Sequence, residues 1–332
     1  MRVRNVAPVV LCAALAGCGG DQSALEPRSR ASSDIATLWW WMFVIACVVF
    51  AGALGLLVIA WLRRRRAGLP VVDEERPRLN LGLVLVFGIG IPLVVNVTLF
   101  VIANFVVIKD TEAPAATTTP MTIEVTGRQW FWDVRYPGVD VVTANEIHIP
   151  ARTRVNVVAT TGDVIHSFWV PQLNRKIDMI PGRRNRVLLY ADEPGRYRGQ
   201  CAEFCGLQHA RMAMYVYAQQ PADFERWLRE QSAPARTPAT ATQRDGERAF
   251  TADGCADCHT VRGTGADGTV GPDLTHVGSR TTLAALTLPN DSADLARWLR
   301  DPQHVKPGNR MPDLNLSRRD VGALVAYLEG LK

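Results

Sequence analysis

One short stretch of the chain concentrates side chains that bind soft metal ions. The segment CAEFCGLQHARM holds two thiols, a carboxylate, an imidazole and a thioether, and the run HSFWV upstream begins with a second imidazole. Such a donor set selects copper over magnesium or calcium, although zinc also accepts two thiolates and two imidazoles. The methionine favours copper, because a weak thioether ligand is typical of copper sites. The residues that carry these donor groups are His166, Cys201, Glu203, Cys205, His209 and Met212.

A second pair of cysteines belongs to the motif CxxCH, formed by Cys255, Cys258 and His259. This motif attaches a haem covalently through two thioethers, and its histidine binds the iron. A disulfide, a zinc knuckle or a thioredoxin-like site also uses closely spaced cysteines. The adjacent histidine and the helical pattern around it favour a c-type haem.

The second axial ligand of that haem is expected downstream of the motif. Met311 is the only methionine there, and it stands between KPGNR and Pro312. A methionine ligand raises the potential of a haem. His276 and His304 remain alternatives, each of which would give an iron with two histidine ligands.

The beginning of the chain has the layout of an export signal. Residues 1–17 carry Arg2 and Arg4 followed by an apolar stretch, and the segment ends in Leu-Ala-Gly before Cys18. This ending resembles a bacterial lipobox, which predicts cleavage before Cys18 and lipidation of that residue. A short signal with a chance cysteine is the alternative.

Two longer apolar runs, 38–62 and 79–108, each exceed the roughly 20 residues that a helix needs to cross a bilayer. Four consecutive arginines, Arg63 to Arg66, lie between them, and the positive-inside rule assigns such a cluster to the cytoplasm. The sequence therefore predicts a transmembrane hairpin with everything after Lys109 on the outer face.

The rest of the chain divides into two domains of different class. Residues 120–218 read as short β-branched and aromatic runs between turns, which predicts a β-sandwich or barrel. A short amphipathic helix and a Pro/Ala/Thr-rich linker occupy 219–242, and residues 243–332 show helical periodicity. The predicted strands include Thr122–Thr126, Val141–Ile149, Arg154–Thr160 and Arg186–Ala191, and the predicted helices are Ala222–Glu230, Asp245–Asp253, Ser292–Arg300 and Ser317–Leu331.

The copper motif resembles the dinuclear copper site, called CuA, of cytochrome c oxidase subunit II, whose pattern is CxExCGxxHxxM. The resemblance implies that Cys201 and Cys205 bridge two coppers and that Met212 is a weak ligand. It also implies that His166 and His209 bind one copper each. In the family the glutamate supplies its backbone carbonyl to copper and its carboxylate to a magnesium shared with subunit I, which gives both roles to Glu203.

Three further residues near this motif are interpreted in the same way. The run GRQWFWDVRY resembles the aromatic segment of the family in which a tryptophan receives electrons, and Trp130 fits that position. Met214 lacks the spacing of the copper ligand and is expected in the core. His148 is expected at a strand surface or in the core rather than on a metal.

The order of the parts resembles oxidases of the caa3 type. It implies a multi-domain chain: a two-helix transmembrane hairpin, an all-β cupredoxin-like sandwich or barrel, and an all-α class I cytochrome c domain. Electrons would pass from the haem c to CuA and on to haem a of subunit I, where haem a3 and CuB reduce oxygen with proton translocation. The implied partners are subunits I and III and a cytochrome c or cytochrome bc-type donor, without nucleic acid, in a bacterial inner membrane with both redox domains on the periplasmic face.

Charge and composition bear on the alternatives. Residues 120–218 hold 12 Lys+Arg against 9 Asp+Glu, a net of +3, whereas 243–332 hold 11 against 12, a net of −1. This contrast favours delivery from the tethered cytochrome over a strongly basic soluble donor. Six histidines in all exclude the catalytic domain of nitrous oxide reductase, and the retained copper ligands disfavour a quinol oxidase. A nitric oxide reductase subunit and a stand-alone electron carrier remain alternatives.

In many relatives, a glutamate at the cytoplasmic start of the second membrane helix serves proton uptake into the channel of subunit I. Asp73, Glu74 and Glu75 precede that helix here. The sequence does not choose among the three, and all of them are also explained as solvated charges.

Overall fold

The structure is a computed structural model that describes residues 20–66, 77–111 and 119–332. The predicted signal, the predicted lipidation site Cys18 and the acidic residues 73–75 lie outside the described residues. The chain divides into two compact units, one formed by Ser33–Thr111 and the other by the remainder.

The first unit consists of two apolar helices. Helix α1 is Arg30–Arg66, and it begins before the predicted run because the side chain of Ser29 accepts a hydrogen bond from the Ser32 amide at 3.1 Å and so caps it. Helix α2 covers 77–111. Spans of 34 and 29 residues within these helices are long and apolar enough to cross a membrane. Their large side chains are exposed, as lipid-facing residues are: Phe50 by 69% and Phe105 by 72%.

Helix α2 changes its hydrogen-bond pattern along its length. It alternates between α-helical turns and wider π-helical turns, and π-helical turns within a helix are often found at functional sites. The side-chain amide of Asn104 donates to the carbonyl of Phe100 at 2.8 Å, so one polar group of this span is satisfied within its own helix. The segments are Pro77–Leu83 (α), Val84–Gly90 (π), Ile91–Ile102 (α), Ala103–Ile108 (π) and Lys109–Thr111 (α).

Ten strands of the second unit form two five-stranded sheets. One sheet has the order β3-β2-β1-β5-β8 and the other β4-β10-β9-β6-β7, with β1 parallel to β5, β4 parallel to β10 and the remaining pairs antiparallel. The strands are β1 (Met121–Arg128), β2 (Phe131–Tyr136), β3 (Val141–Ala144), β4 (Glu146–Pro150), β5 (Val155–Thr161), β6 (His166–Trp169), β7 (Ile177–Met179), β8 (Asn185–Leu189), β9 (Gly195–Cys201) and β10 (Ala213–Gln219). This is the predicted cupredoxin-like sandwich, here called the copper domain.

Alternating apolar residues bury the inner faces of these sheets. Along β1 the residues Ile123 and Val125 are fully buried while their neighbours are half-buried, which is the period-two pattern of a strand with one face in the core. Trp132 and Phe168 are also buried, and their rings meet edge to face at 6.0 Å. The packed core gives the strand ends, where the motifs lie, a fixed frame.

One predicted strand is wrong. The run Val141–Ile149 is two strands, β3 in one sheet and β4 in the other, separated by Asn145. Asn145 has φ 63°, a left-handed conformation that asparagine tolerates better than most residues. Its side-chain carbonyl accepts the Trp132 amide at 2.9 Å, which fixes the turn that carries the chain between sheets.

A short helix and an extended segment join the copper domain to the last domain. Helix α3 (Pro221–Ser232) packs Trp227 on the ring of His148 with centroids 4.0 Å apart. The next residues are extended rather than free of contacts, since the Ala235 amide donates to the carbonyl of Arg262 at 2.8 Å. The predicted linker is therefore bonded to the domain that follows it.

The last domain, here called the cytochrome domain, is mainly helical. Helix α4 (Ala241–Ala252) begins with a capping box at Thr240, and it crosses α7 (Arg318–Gly330) so closely that a Cβ on Gly246 would lie 2.1 Å from the Ala323 carbonyl oxygen. The other helices are α5 (Ser292–Arg300) and the single turn α6 (Pro302–Val305). Two small hairpins supplement the predicted helices: β11 (Thr260–Val261) with β12 (Ala266–Asp267), and β13 (Thr282–Leu283) with β14 (Leu288–Pro289).

Candidate functional site

Three neighbouring strand ends bring the predicted copper ligands together. His166 is the first residue of β6 and Cys201 the last of β9, and these strands pair antiparallel with Phe168 opposite Cys201. The loop after β9 carries Cys205 and continues through a 3-10 turn, His209–Arg211, to Met212 immediately before β10. Hydrogen bonding between β6 and β9 thus unites two motifs that are far apart in the sequence.

The donor atoms of these side chains lie within a few ångströms of each other. The two sulfurs of Cys201 and Cys205 are 3.7 Å apart, and His166 Nδ1 is 3.8 Å from the Cys201 sulfur. His209 Nδ1 and Met212 Sδ lie 3.6 Å and 3.8 Å from the Cys205 sulfur. Donors that share an ion at about 2.0–2.3 Å are themselves about 3.3–3.8 Å apart. The arrangement therefore fits soft metal ions held between the two cysteines.

The electrostatics of this cluster favour bound cations. Four of the five side chains are buried, with His166 fully so and Cys201 3% exposed. The hydrogen bond between the two cysteines lowers the pKa of Cys201 to about 3, although burial opposes this, and raises the pKa of Cys205. Burial alone lowers the pKa of His166, but Cys201 and Asp163 outweigh it and raise that pKa. A thiolate enclosed with imidazole and thioether donors is a soft, anionic metal site.

Asp163 is a part of the site that the sequence analysis missed. Its carboxylate lies 2.8 Å from His166 Nε2 and accepts the Gln129 amide at 2.7 Å, so it fixes the ring with Nδ1 turned to the sulfurs. Gly127 leaves room for that ring, since a Cβ there would lie 2.8 Å from His166 Cδ2. An acidic residue three positions before a predicted histidine ligand was the available signal, because such ligands commonly donate their other nitrogen to a carboxylate.

Glu203 stands at the surface of the same loop. Its carbonyl oxygen is 3.2 Å from the Cys201 sulfur, while its exposed carboxylate accepts the Phe204 amide at 3.1 Å. The carbonyl therefore faces the cluster and the carboxylate faces away from it. Met214 is fully buried in the core, and His148 bonds to Gln219 at 3.0 Å, so both lie where they were expected.

The haem motif occupies a tight turn at the end of α4. Cys255 begins a 3-10 turn after Gly254, whose φ of 79° is a left-handed value that glycine accommodates. His259 Nδ1 donates to the carbonyl of Pro272 at 2.7 Å, which leaves Nε2 as the free nitrogen. Burial lowers the pKa of His259 and so keeps the imidazole neutral, the form that binds iron.

A mostly apolar cavity opens above this histidine. Its walls include both cysteines of the motif, and Met311 lies in the same lining as His259. The Gln303 amide donates to the Met311 carbonyl at 2.7 Å and so holds that backbone in place. Among the described residues, neither His276 nor His304 lines this cavity. The cavity fits a covalently attached haem with a histidine and a methionine at the iron.

Two buried polar atoms in the same lining, the Nε of Arg280 and the hydroxyl oxygen of Thr282, lack a hydrogen-bond partner among the described residues. The Nε of Arg280 is buried without a hydrogen bond, although its Nη2 donates to the carbonyl of Asp273 at 2.5 Å. An unpaired N–H of a buried guanidinium costs free energy unless a ligand satisfies it. A haem brings two carboxylates, which are suitable acceptors for that group.

Trp130 lies between the two centres. Its indole N–H donates to the carbonyl of Cys205 at 3.0 Å, and the residue also lines the haem cavity. The predicted receiver of electrons therefore contacts the loop of the copper motif on one side and the cytochrome domain on the other.

Comparison with known proteins agrees with this two-centre arrangement. The family model "Cytochrome C oxidase subunit II, periplasmic domain" matches residues 140–219, and the model "Cytochrome c" matches residues 243–332. Cytochrome c oxidase subunit 2 of Alkalihalophilus pseudofirmus is 33% identical over 331 residues, which covers 96% of this chain and 94% of that protein. The chain belongs to the cytochrome c oxidase subunit 2 family.

Other relatives match smaller parts of this family member. Cytochrome c oxidase subunit 2 of Bacillus subtilis is 31% identical over 223 residues, covering 64% of this chain and 62% of that protein. The solved periplasmic domain of subunit II of cytochrome oxidase from Bradyrhizobium japonicum is 32% identical and covers 34% of this chain and 94% of that domain, with a TM-score of 0.34.

Membership of this family has direct consequences. A subunit 2 domain followed by a cytochrome c domain is the arrangement of caa3-type oxidases, and it implies copper and haem c as cofactors and an electron-transfer role. The chain is a subunit of a haem–copper oxidase, which implies subunit I as its partner. The two apolar helices anchor domains that lie on the outer face of the membrane.

Proposed function

We propose that this subunit accepts electrons at its own haem c, passes them to a dinuclear CuA centre and delivers them to haem a of subunit I. Oxygen would be reduced to water there, with proton translocation. The observation that carries the proposal is the position of Trp130, which bonds to the copper loop and lines the haem cavity. A residue that contacts the copper loop and lines the haem cavity would give direct transfer a short route.

The roles proposed for the copper residues follow from their atoms. The thiolates of Cys201 and Cys205 would hold the two coppers together with the other ligands, and the copper pair would supply a centre that takes up and releases one electron. The chain supplies a prearranged cage: Asp163 orients His166, burial excludes water, and the Glu203 carbonyl points at the cluster. The proposed copper ligands are His166, Cys201, Glu203, Cys205, His209 and Met212, and the Glu203 carboxylate is proposed to bind a magnesium shared with subunit I.

The proposed haem residues act in a similar way. Cys255 and Cys258 would form the thioethers, and His259 and Met311 would bind the iron. Pro272 orients the histidine through its carbonyl, and the cavity walls exclude water from the site. A methionine ligand gives the haem a high potential, which suits transfer to an oxidase.

The setting of the protein is also a proposal. The arginine cluster between the two helices predicts that the redox domains lie on the outer face, and the membrane is proposed to be a bacterial inner membrane, so that this face is the periplasm. A cytochrome c or a cytochrome bc-type complex would donate electrons, subunit III would complete the assembly, and Cys18 would carry a lipid.

Metal analysis of the full-length protein tests the proposal. About two coppers per haem c, with an EPR signal of one electron shared by two equivalent coppers, is the expected result. The variant Cys201→Ser should lose this EPR signal and keep its haem. The variant Cys258→Ser should keep the EPR signal and lose its haem. One copper or none in the unchanged protein contradicts the dinuclear centre. Reduction of nitric oxide instead of oxygen by the purified complex contradicts the oxidase assignment.

A further inference from the structure

The cytochrome domain inserts one buried lysine into its contact with the copper domain. Lys306 is only 2% exposed, and its ammonium donates to three backbone carbonyls. The acceptors are Trp130 at 2.9 Å, Arg211 at 2.8 Å and Ala284 at 2.9 Å. Two of these carbonyls belong to the copper domain and one to the cytochrome domain, so a single side chain ties three segments together.

Each of the three segments belongs to the electron path or shapes its surroundings. Trp130 bonds to the copper loop and lines the haem cavity, and Arg211 directly precedes the predicted ligand Met212. Ala284 opens a run of three left-handed residues, with φ of 51°, 59° and 64°, in the loop between β13 and β14. Residues other than glycine rarely adopt this backbone conformation, so the run needs a contact that stabilises it.

The charge on this lysine is costly to keep. Three acceptors require the three N–H bonds of the ammonium form. Burial, aided by the Arg211 cation, lowers the pKa of Lys306 to about 7. A methionine or leucine of similar volume would fill the same space without the desolvation cost of a buried cation. Packing alone therefore does not explain a lysine at this position, whereas fixing three carbonyls in one geometry does.

Docking of the two domains does not depend on Lys306 alone. The Gln208 amide donates to the Pro307 carbonyl at 2.7 Å, and Arg211 donates to the Val305 carbonyl at 2.6 Å. At a separate place, the Glu146 carboxylate accepts both the amide and the hydroxyl of Thr281, at 2.8 Å and 2.7 Å. Loss of the lysine contacts should therefore loosen Trp130 locally while the domains stay together.

We propose that Lys306 is a positioning residue for electron transfer within this chain: it fixes Trp130 and the end of the copper loop against the haem cavity. The inference rests on the proposed function, because it needs a haem and a copper centre that exchange electrons. It adds a residue outside both predicted ligand sets, and one that acts through the tryptophan rather than on either metal.

The test compares Lys306→Met with Thr281→Val in the complete oxidase. Lys306→Met keeps the length of the side chain and removes all three hydrogen bonds. Thr281→Val removes the hydroxyl that contacts Glu146 at 2.7 Å and Tyr217 at 2.6 Å across the same two domains, and neither contact involves Lys306. A light-activated reductant delivers an electron to haem c, and absorbance follows haem reoxidation and copper reduction. The midpoint potentials and spectra of both centres are measured in parallel, because a positioning role should leave them unchanged.

The expected result is a slower haem-to-copper step in Lys306→Met by about 10- to 100-fold, the scale on which a misplacement of about 1 Å slows a geometry-dependent reaction. Thr281→Val should stay within about twofold of the unchanged complex. If Lys306→Met does not assemble, Lys306→Gln, which keeps two N–H donors, should show a smaller slowing with unchanged potentials.

Three results would overturn the inference. They are an unchanged rate in the lysine variant that assembles, equal slowing in Thr281→Val, and a slowing that is accounted for by shifted potentials. Failure of the proposed function looks different, because then the unchanged complex itself shows no haem-to-copper transfer.

Discussion

Replacing Gly271 by alanine should displace the predicted haem ligand His259. A Cβ at position 271 would lie 2.5 Å from His259 Cε1 and 2.8 Å from Nδ1. Carbon atoms rest at about 3.5–4.0 Å from each other, so the ring must move by about 1 Å. The glycine is thus needed for space beside the imidazole.

The free-energy cost follows from two contributions. Forcing an extra methyl group into a packed site costs about 1–3 kcal/mol. A ring that moves by about 1 Å also loses its 2.7 Å hydrogen bond to the Pro272 carbonyl, worth about 0.5–1.5 kcal/mol. We therefore expect Gly271→Ala to destabilise the cytochrome domain by about 2–4 kcal/mol and to change the haem spectrum.

The assay is denaturant unfolding of the haem-loaded protein, followed by haem absorbance so that it reports on this domain. Gly322→Ala is the matched control, because position 322 is exposed on α7 and an added Cβ meets nothing within 4 Å. Alanine there should stabilise the helix by about 0.5–1 kcal/mol. If Gly271→Ala proves as stable as this control and keeps its spectrum, the spatial argument is refuted.

Two further predictions concern the copper domain. Gly127→Ala should lower copper affinity about 10- to 100-fold by pushing the His166 ring, whereas Gly162→Ala, whose nearest contact is 3.6 Å, should keep its copper; equal copper content in both variants would contradict this. Burial raises the pKa of Glu146, but interactions with the His148 ring and hydrogen bonds from Thr281 outweigh it and hold that pKa below its usual range. Because the pKa of Glu146 is depressed, its contact with Thr281 is fully present above about pH 4.3, the value in the unfolded chain. The contact is lost as the pH falls through the lower pKa of the folded protein. Hydrogen exchange, corrected for intrinsic rates, should show that the Thr281 amide loses about tenfold protection in acid. In Glu146→Gln this protection should be lower at pH 7 and should not change with pH. A loss of protection in acid that persists in Glu146→Gln would refute the role of this carboxylate.

Local spacing explains how much of the two centres the sequence predicts. Cys201 and Cys205 share one loop, and the motif of Cys255 and His259 lies in one turn, so chemistry and spacing are visible together. His166 is different, because only the pairing of β6 with β9 brings it to the sulfurs. Its assignment came from a family resemblance rather than from the pattern of its own segment.

The predicted strand 141–149 shows why local pattern fails elsewhere. Its residues have the β-branched composition of one strand, and composition does not report a change of sheet. The change depends on the left-handed Asn145 and on the hydrogen bond that its side chain accepts from Trp132. That bond joins residues from different strands, so it exists only after the sandwich has formed.

The net charges of the two redox domains predict that the domains attract each other, but they do not predict which residues form the contact. A net +3 on residues 120–218 and −1 on 243–332 predict attraction between a basic copper domain and a slightly acidic cytochrome. At the contact itself the signs are reversed: the buried cation, Lys306, comes from the cytochrome domain, and the buried carboxylate, Glu146, comes from the copper domain. Lys306 binds backbone carbonyls, and Glu146 binds Thr281 of the other domain and the His148 ring of its own domain, so the two charges do not bind each other. Net charge therefore favours association, while the register that sets Trp130 against the haem cavity depends on hydrogen bonds that no count of charges contains.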